Sequence, residues 1–537
     1  MVEINLFIKI LTSVSSQEFG KQTPKTIGIS FSRMGRKNRN KKAAPSNGAS
    51  GSAEASKQLS KAAKKEIMDL IKLLLEKCSQ PGGSGAKEFE DYLEIRGTVE
   101  KIRDLQKDIN LVMEKREDKF PVFKDWLKNN KVDVGCVEIH KFTGLGHGLQ
   151  ATKDLKEGDQ FLAIPRNIMM TTQSARSSAL GPLISEDKIL QVMPSVVLAL
   201  HLLCERRSPE SNWGPYLNIL PESYNTPLYF TPEDLRYLKG SPAQSDCINQ
   251  YRNIVRQYAY FYKLFQNDAS SQNLPIKDLF TFDDYRWAVS TVMTRQNQIP
   301  TPDGSKMTFA LIPLWDMCNH CNGLITTDFN LEKDCSECYS LRSYSKGDQI
   351  FIFYGARSNA ELLVNNGFVY LENEHDRMAI KLGISKSDTL FSLKSEVLTR
   401  CGLLPSRTFY LHKGELPVDS DLLVFLRIFQ MDEETLRGKF SEANAAELRE
   451  ELGDLEKVVS VDVEMKVWNY LETRSTLLMK AYDCTVEEDD EVMQKEKLSE
   501  AALLCVQLRR CEKIILKSAA AYAAQRKQKL QPSQETT

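Results

Sequence analysis

The sequence lacks an excess of charge of either sign, and it lacks long apolar runs. Its 71 Lys and Arg residues are balanced by 72 Asp and Glu residues, so the net charge is -1. A nucleic-acid-binding protein usually carries a basic excess, so we expect no nucleic-acid partner. No apolar run reaches the roughly 20 residues that a membrane-spanning helix requires, so we expect no membrane partner. The mildly apolar start, residues 2–11, contains Glu3 and Lys9 and lacks the order of a signal peptide.

Two common catalytic patterns are also missing. We find no glycine-rich phosphate-binding loop and no Ser, His and Asp arrangement with the context of a hydrolase. The 12 cysteines are irregularly spaced, which is typical of reduced thiols in an intracellular protein. His201 lies in an apolar helical segment, so we interpret it as a core histidine.

Composition and periodicity predict an α+β fold in five segments. We predict a disordered basic tail over residues 1–65, helices over 66–132, a β-rich domain over 133–355 with a helical insertion at about 173–290, a helical domain over 375–525, and a frayed tail over 526–537. Met34 reads like a natural start, so residues 1–33 could be an upstream extension. A strand region interrupted by helices indicates an insertion within a β domain.

Two polar stretches carry residue types that suit methyl transfer. One contains Arg295 and, further on, Asn319-His320; the other ends an apolar strand at Tyr354. Methyl transfer from a sulfonium donor is an in-line displacement, so the site must hold the donor and aim a neutral nitrogen at its methyl group. An Arg suits the donor's carboxylate, the turn Gly146-x-Gly148 allows close backbone approach, and a Tyr hydroxyl offers a dipole beside the methyl. Each residue alone has an ordinary structural explanation; their combination and order carry the prediction.

The order of these motifs resembles that of SET-domain protein methyltransferases. Residues 213–217, residues 285–288 and the helical C-terminal third are similar to the plant Rubisco lysine methyltransferase class, with similarity over roughly residues 66–520. The resemblance implies that 133–355 is a SET domain and that 375–525 is an all-helical substrate-binding domain. Residues 292–300 and 311–326 most resemble the members that methylate a histidine of actin. This implies S-adenosyl-L-methionine as cofactor and actin as protein substrate.

The resemblance also implies roles for individual residues. Tyr354 would line the methyl-transfer channel, and Asn297 would orient the acceptor. The implied cofactor contacts are Arg116, Leu145, Gly146, His147, Arg295, Asp316, Met317, Cys318, Asn319, His320, Asn366, Gly367 and Phe368. The implied substrate contacts are Gln296, Ile312, Trp315, Ile352 and Arg357. The relatives have an acidic and an aromatic residue around Gly146, whereas this chain has Leu145 and His147, which would alter cofactor affinity if those side chains matter.

The residues by themselves leave open whether the methyl acceptor is a histidine or a lysine. A lysine with a pKa of about 10.4 must lose a proton at a cost of roughly 4.6 kcal/mol at pH 7, whereas a histidine with a pKa of about 6.5 is already mostly neutral. A histidine enzyme must instead orient a flat ring with two distinct nitrogens. One hydrogen bond between an amide side chain and the non-reacting nitrogen would do so, and Asn297 is the candidate. Asn297 could equally cap a turn before Pro300; the resemblance favours the orienting role.

A zinc site is the competing interpretation of the cysteines. Cys318-x-x-Cys321 and Cys335-x-x-Cys338 have nearly the spacing of a zinc ribbon. Cys318 lies inside the implied cofactor loop, however, and the relatives with this helical insertion are not zinc-dependent. We therefore expect no metal.

The sequence leaves two other functions open, a lysine methyltransferase and a non-catalytic protein-binding module. Intact Tyr354, Asn319 and His320 argue against the second. We expect a monomer in the cytoplasm, and the basic cluster at residues 36–42 would also permit entry into the nucleus.

Overall fold

A computed structural model describes residues 58–112, 114–440, 444–495 and 497–531. The predicted N-terminal tail, apart from residues 58–65, and the end of the predicted C-terminal tail, residues 532–537, lie outside the described residues. The described chain mixes helices and sheets, which confirms the predicted α+β class. None of the described helices is long and apolar enough to cross a membrane.

Within the described residues, three α-helices precede the sheets: α1 (Lys61–Ser79), α2 (Ala86–Gln106) and α3 (Phe120–Asn129). The first begins five residues before the predicted boundary at 66. Ser60 caps it, since its side chain accepts a hydrogen bond from the Ala63 amide at 3.1 Å. Lys64 pairs with Asp278 at 2.7 Å and so fixes this first turn against the body of the protein. The basic composition of residues 61–65 predicts part of a disordered tail, but these residues form the first turn of a capped helix.

The β-rich region comes in two parts on either side of a helical insertion. Its first strands are β1 (Val137–Phe142), β2 (Gly146–Ala151), β3 (Gln160–Pro165) and β4 (Met170–Thr171). The insertion contains α4 (Thr172–Arg176), α5 (Gly181–Glu186), α6 (Lys188–Val192), α7 (Pro194–Arg206), α8 (Gly214–Leu217), α9 (Pro232–Arg236), α10 (Pro242–Asn267) and α11 (Phe282–Arg295). The second part contains β5 (Asn297–Pro300), β6 (Met307–Leu311), β7 (Asn319–His320), β8 (Thr327–Asn330), β9 (Cys335–Tyr339), β10 (Gln349–Ile352) and the helix α12 (Asn359–Asn366).

These strands form three small sheets. Their orders are β1-β2-β10-β7, β3-β9-β8 and β4-β6-β5. Each sheet joins strands from before and after the insertion, so the insertion interrupts one folded unit in sequence but not in space. All pairings are antiparallel except that of β10 with β7.

The C-terminal region contains helices and an antiparallel pair of strands, β11 (Arg377–Gly383) and β12 (Ser406–His412), which we call the hairpin although a helix separates them in sequence. Its elements are β11 (Arg377–Gly383), α13 (Phe391–Arg400), β12 (Ser406–His412), α14 (Ser420–Gln430), α15 (Glu433–Phe440), α16 (Ala445–Gly453), α17 (Val461–Met479), α18 (Val486–Lys495) and α19 (Glu500–Leu530). The prediction of an all-helical domain missed the antiparallel pair of β11 and β12. In β11, Met378, Ile380 and Leu382 are buried in alternation, which is the period of a strand.

The last helix also runs further than predicted. Residues 526–530 belong to α19 rather than to a frayed tail. Arg526 accounts for this order, because its guanidinium lies 5.4 Å from the Trp468 ring and donates to the Leu455 carbonyl at 2.5 Å. Long charged side chains can thus cover apolar surface at a helix end.

In the part of the chain that the structure describes, the buried side chains form two hydrophobic cores. One lies under the N-terminal helices, the three sheets and the insertion, and the other lies within the C-terminal region. Helix α19 contributes to both: Cys505 and Leu508 pack in the first core, whereas Ile515 and Leu516 pack in the second. The longest described helix therefore joins the two units.

Candidate active site

The two polar motifs lie side by side in the first sheet. Strand β7 runs parallel to β10, with Asn319 opposite Phe351 and His320 opposite Ile352. Tyr354 comes two residues after the end of β10, and its hydroxyl reaches Cys318 in the loop that leads into β7. The structure therefore brings the Asn-His motif and the Tyr-Gly motif together, as the sequence predicts.

A strained turn introduces the loop before β7. Leu314 has φ 68° and ψ -49°, and the Trp315 amide donates to the Pro313 carbonyl at 2.9 Å. This is a γ-turn of the less common, strained type. Leu314 is buried, so its packing holds the strain in place. The turn starts a short 3-10 helix, Trp315–Met317, that aims these residues into the site.

Tyr354 is fixed at both ends. Its hydroxyl donates to the Cys318 carbonyl at 2.6 Å, and its amide donates to Nδ1 of His320 at 3.2 Å. Burial raises the pKa of Tyr354, so the phenol stays neutral. Burial together with Arg357 lowers the pKa of His320 to about 4, which agrees with a neutral ring that accepts a hydrogen bond. His320 therefore acts as a rigid support for the strand end.

A charged group lies at the end of α11. The Asp316 side chain is fully buried, and its Oδ2 accepts from the Tyr216 hydroxyl at 2.6 Å. Arg295 places Nη1 at 3.4 Å from the same Oδ2 and donates to the Asp316 carbonyl at 2.8 Å. Burial disfavours the charge on Arg295, but Asp316 and then Tyr224 outweigh it and raise the pKa of Arg295. The guanidinium is therefore permanently charged.

Three buried polar atoms of this group have no hydrogen-bond partner within the described residues. They are Nε of Arg116, Nε of Arg295 and Oδ1 of Asp316. Burial, and then repulsion from Arg295, lowers the pKa of Arg116 to about 10, so the two cations lie close enough to repel each other. Two guanidinium donors and one carboxylate acceptor match the carboxylate and the ammonium group of an amino acid. The methionine part of S-adenosylmethionine carries both groups, so the residues fit the predicted cofactor.

The glycines of β2 approach the Asn-His motif closely. Gly146 has φ 70°, a conformation that favours glycine. A Cβ on Gly148 would lie 2.6 Å from Nε2 of Gln349 and 2.9 Å from Nδ2 of Asn319. Nδ2 of Asn319 lies 3.4 Å from the Leu145 carbonyl oxygen. These contacts place the predicted glycine turn against Asn319.

The two residues that flank Gly146 differ in their surroundings. Leu145 is 52% exposed, so its side chain points away from the core. The His147 side chain is mostly buried, lies 3.6 Å from Glu117 and packs edge-on against Phe120. Burial, and then Arg116, lowers the pKa of His147. Of the two residues that differ from those of the relatives, His147 is therefore the one that lies near Arg116, a predicted cofactor contact.

The end of α12 completes this side of the site. Gly367 ends the helix in the left-handed conformation, and a Cβ there would lie 2.8 Å from the Asn225 carbonyl carbon. Phe368 then packs on both His320 and Tyr354, with ring centroids 6.0 and 6.2 Å apart. The turn at Gly367 thus brings residues 366–368 to the strand end.

A cavity of about 470 Å³ opens beside Tyr354. Its wall includes the predicted residues Arg295, Gln296, Asn297, Trp315, Asp316, Cys318, Ile352, Tyr354, Arg357 and Asn366. Ile312 is fully buried and is not part of this wall. Arg116, Leu145, Gly146, His147, Met317, Asn319, His320, Gly367 and Phe368 also lie outside the wall. The predicted substrate residues other than Ile312 therefore share one cavity with Tyr354 and with four of the predicted cofactor residues, Arg295, Asp316, Cys318 and Asn366.

The candidate substrate residues are held by specific contacts. Asn297 begins β5, and its Oδ1 accepts from the Gln298 amide at 2.9 Å. Gln296 accepts from Ser195 at 3.0 Å, Trp315 donates to Thr327 at 3.2 Å, and Arg357 donates to Asn366 at 2.7 Å. Asn297 lies in a strand rather than in a turn before Pro300, so the capping interpretation does not hold.

Two residues of the site, Tyr216 and Gln349, have no role predicted from the sequence. Tyr216 bonds the buried carboxylate of Asp316, and its place in the motif at 213–217 was the available signal. Gln349, whose Nε2 is buried without a partner among the described residues, fills the space above Gly148. Gln349 opens the strand β10, which leads to Tyr354, but it belongs to no motif, so the sequence offered no signal for it.

The four cysteines of the proposed ribbon do not form a metal cluster within the described residues. Cys318, Cys321, Cys335 and Cys338 are all buried free thiols. No group of three or more potential ligands comes together in the part of the chain that the structure describes. Burial raises the pKa of Cys321 and of Cys335, which favours the protonated thiol.

Comparisons with known proteins agree with this geometry. The SET domain family matches residues 146–355, and the family described as Rubisco LSMT substrate-binding matches residues 385–516. The structure of Rubisco LSMT bound to AdoMet is similar with a TM-score of 0.61 and 25% identity, over 77% of this chain and 93% of that chain. The crystal structure of the SET domain of LSMT bound to lysine and AdoHcy has a TM-score of 0.62 and 25% identity, over 77% of this chain and 92% of that chain. The fold and the site therefore define a SET-domain protein of the Rubisco LSMT class.

Curated relatives narrow this class. The actin-histidine N-methyltransferase of Homo sapiens is 50% identical over 461 residues, which is 86% of this chain and 78% of that protein. The actin-histidine N-methyltransferase of Xenopus tropicalis is 50% identical over 456 residues, which is 85% of this chain and 78% of that protein. The chain belongs to the actin-histidine N-methyltransferase family.

Proposed function

We propose that this protein is an S-adenosylmethionine-dependent methyltransferase that methylates the tele nitrogen of a histidine of actin. The observation that carries the proposal is the cavity that joins Asn297 to Tyr354 in a chain half identical to actin-histidine N-methyltransferases. Arg295 and Asp316, each with a buried polar atom that has no partner among the described residues, belong to the wall of this cavity, and so does the uncharged amide of Asn297.

The residues of the chain orient the cofactor and the acceptor. Bound S-adenosylmethionine supplies an electrophilic methyl group on a sulfonium. Arg295 and Arg116 would hold its carboxylate, and Asp316 Oδ1 its ammonium group. The Tyr354 hydroxyl donates its proton to the Cys318 carbonyl, so its oxygen remains an acceptor facing the cavity. The rate then comes from positioning and from preorganised electrostatics.

Asn297 would select the reactive tautomer of the acceptor histidine. For the tele nitrogen to attack, it must carry the lone pair, and the proton must sit on the other ring nitrogen. Oδ1 of Asn297 accepts one hydrogen bond from Gln298 and has a second lone pair for that ring N–H. The neutral imidazole needs no base before attack, which is in keeping with the neutral His320 and Tyr354 around it.

Labelled-methyl transfer to purified actin tests the proposal. We expect label on wild-type actin and none on actin whose target histidine is replaced. Label retained on the replaced actin would overturn the histidine assignment. Label found on a lysine would instead support the alternative of a lysine methyltransferase, and saturable actin binding without any transfer would support a binding module.

We further propose that the protein acts as a monomer in the cytoplasm. The near-neutral charge and the actin substrate of the relatives support this location. Light scattering of the purified protein should give about the 61.0 kDa of one chain. Imaging of the tagged protein should give a cytoplasmic signal; an exclusively nuclear signal would contradict it.

A further inference from the structure

The loop after Tyr354 is held by side chains that come later in the chain. Arg357 lies in the cavity wall, and the helix α12 begins two residues after it. The segment that leads from α12 to the C-terminal hairpin, residues 370–377, returns to this loop. We call this segment the linker.

Two linker residues bind the backbone of the loop. Asn373 is almost fully buried, and its Nδ2 donates to the Arg357 carbonyl at 2.8 Å. Arg377 donates to the Ala356 carbonyl at 3.2 Å and pairs with Glu361 at 2.7 Å. The peptide groups on both sides of the Cα of Arg357 are thereby fixed by the linker.

Buried polar contacts make the linker itself rigid. The Asp376 carboxylate accepts from the amide and from the side chain of Asn359, both at 2.8 Å. Asn359 in turn accepts from the Tyr370 amide at 3.1 Å. Asn359, Asn373 and Asp376 are all at least 96% buried, so losing one partner leaves another unpaired in the interior, which is costly.

We propose that the linker positions Arg357 toward the protein substrate, with Asn373 and Arg377 as its positioning residues. Since β11 begins at Arg377, the C-terminal domain would set substrate affinity through this contact as well as through any surface of its own. The inference rests on the proposed function, because it assigns Arg357 to the binding of actin.

Asn373 and Arg377 should affect substrate affinity and not the chemical step. Tyr354 is held by Cys318 and His320. Tyr370 and His375 of the linker pack on His320 and Phe353, whereas the hydrogen bonds and ion pairs found for Asn373 and Arg377 among the described residues reach neither Tyr354 nor the two residues that hold it. The side chain of Arg357 is further oriented by Asn366. An interaction made equally with the bound substrate and with the transition state changes KM and leaves kcat alone.

The hairpin provides a matched control. Arg377 on β11 has one carboxylate partner and lies 5.1 Å from the Tyr410 ring. Arg407 on β12 has one carboxylate partner, Asp421 at 3.3 Å, and lies 5.0 Å from the Phe409 ring. Among the contacts of the described residues, Arg377 reaches the loop after Tyr354 and Arg407 does not.

The experiment measures methyl transfer to actin by the full-length protein with Asn373→Ala, Arg377→Met, Arg377→Lys and Arg407→Met. We expect the first two to raise KM for actin about three- to tenfold while kcat changes by less than about twofold. Arg407→Met should leave KM unchanged, and Arg377→Lys should restore part of the affinity. The Kd of S-adenosylmethionine, measured by calorimetry, should stay constant.

Three results would overturn the inference. One is an unchanged KM in Asn373→Ala and Arg377→Met. Another is an equal rise of KM in Arg407→Met, which would indicate a general effect of the hairpin. The third is a parallel loss of kcat, cofactor affinity and thermal stability in both linker variants, which a merely structural role would produce. Absence of transfer by the wild-type protein would overturn the proposed function itself, and the inference with it.

Discussion

At the scale of single residues, Asn297 and Tyr354 face one cavity but are anchored differently. Tyr354 is bound through its hydroxyl and its amide to other segments of the site. The side chain of Asn297 accepts from the adjacent Gln298 amide and has no other hydrogen bond among the described residues, so its carboxamide is available to a ligand. The first arrangement suits a fixed channel wall, and the second suits a group that adapts to an acceptor ring.

Replacing Asn297 should therefore damage acceptor orientation. We expect Asn297→Phe and Asn297→Ala each to lower kcat/KM for histidine methylation about tenfold or more, because both remove the ring's hydrogen-bond partner. Calorimetric binding of S-adenosylmethionine should change little. An equal loss of cofactor binding and of transfer would contradict the orienting role.

The pH dependence of the reaction follows from the acceptor. A protonated histidine has no lone pair, so kcat/KM should rise with pH through about 6.5 and then level off. His320, with its pKa lowered to about 4, and Tyr354, with its pKa raised, do not change charge in this range. Rates measured between pH 5 and pH 9 check this. A profile that continues to rise toward pH 10 would indicate a lysine acceptor.

At the scale of elements, the site depends on how closely β2, β7 and β10 approach one another. The motifs on these strands could be predicted from the sequence because each has a recognisable pattern. The γ-turn at Leu314 and the packing of Gln349 over Gly148 could not, since they depend on partners more than 150 residues apart or on a conformation that leucine seldom adopts. Ile312 shows the same limit, because the sequence near a motif does not reveal which side chains reach the cavity wall.

Gly148→Ala tests the close approach of these strands. The added Cβ would collide with the side-chain amides of Gln349 and Asn319, which must shift. We expect weaker binding of S-adenosylmethionine and a cost in folding stability of about 1–3 kcal/mol. Gly97→Ala is the matched control, because its Cβ has open space on helix α2 and should stabilise the protein slightly. Unchanged cofactor affinity in Gly148→Ala would show that Asn319 is not needed there.

At the scale of the whole molecule, two cores are joined by one helix. The order of helices, split β domain and C-terminal domain could be predicted because periodicity and composition change at each boundary. The hairpin of β11 and β12 could not be predicted as readily, since its strands are separated by helix α13 and pair only in the folded chain. Buried polar groups on α19 could not be predicted from the sequence either, because their partners are also distant along the chain.

Glu512 is such a group, and it should make stability depend on pH. It is 4% exposed on α19 and accepts from the Tyr482 hydroxyl at 2.9 Å. Burial raises its pKa from 4.5 to about 7, with smaller opposing effects of Ser241 and Tyr482. Between these two values the folded protein binds a proton that the unfolded chain has released. The free energy of unfolding should therefore fall as the pH rises from about 4.5 to about 7, by about 3 kcal/mol in total from this group.

Glu512→Gln should remove this dependence, because the amide mimics the protonated acid at every pH. Denaturant unfolding at pH 5 and at pH 8 should show a smaller difference for Glu512→Gln than for the wild-type protein. Glu396→Gln, which changes an exposed acid on α13, should leave the difference as it is. A wild-type protein that is equally stable at both values, or a Glu512→Gln variant with the full wild-type difference, would contradict the prediction. Because α19 packs in both cores, proton loss from Glu512 should weaken the two units together and give one unfolding transition at either pH.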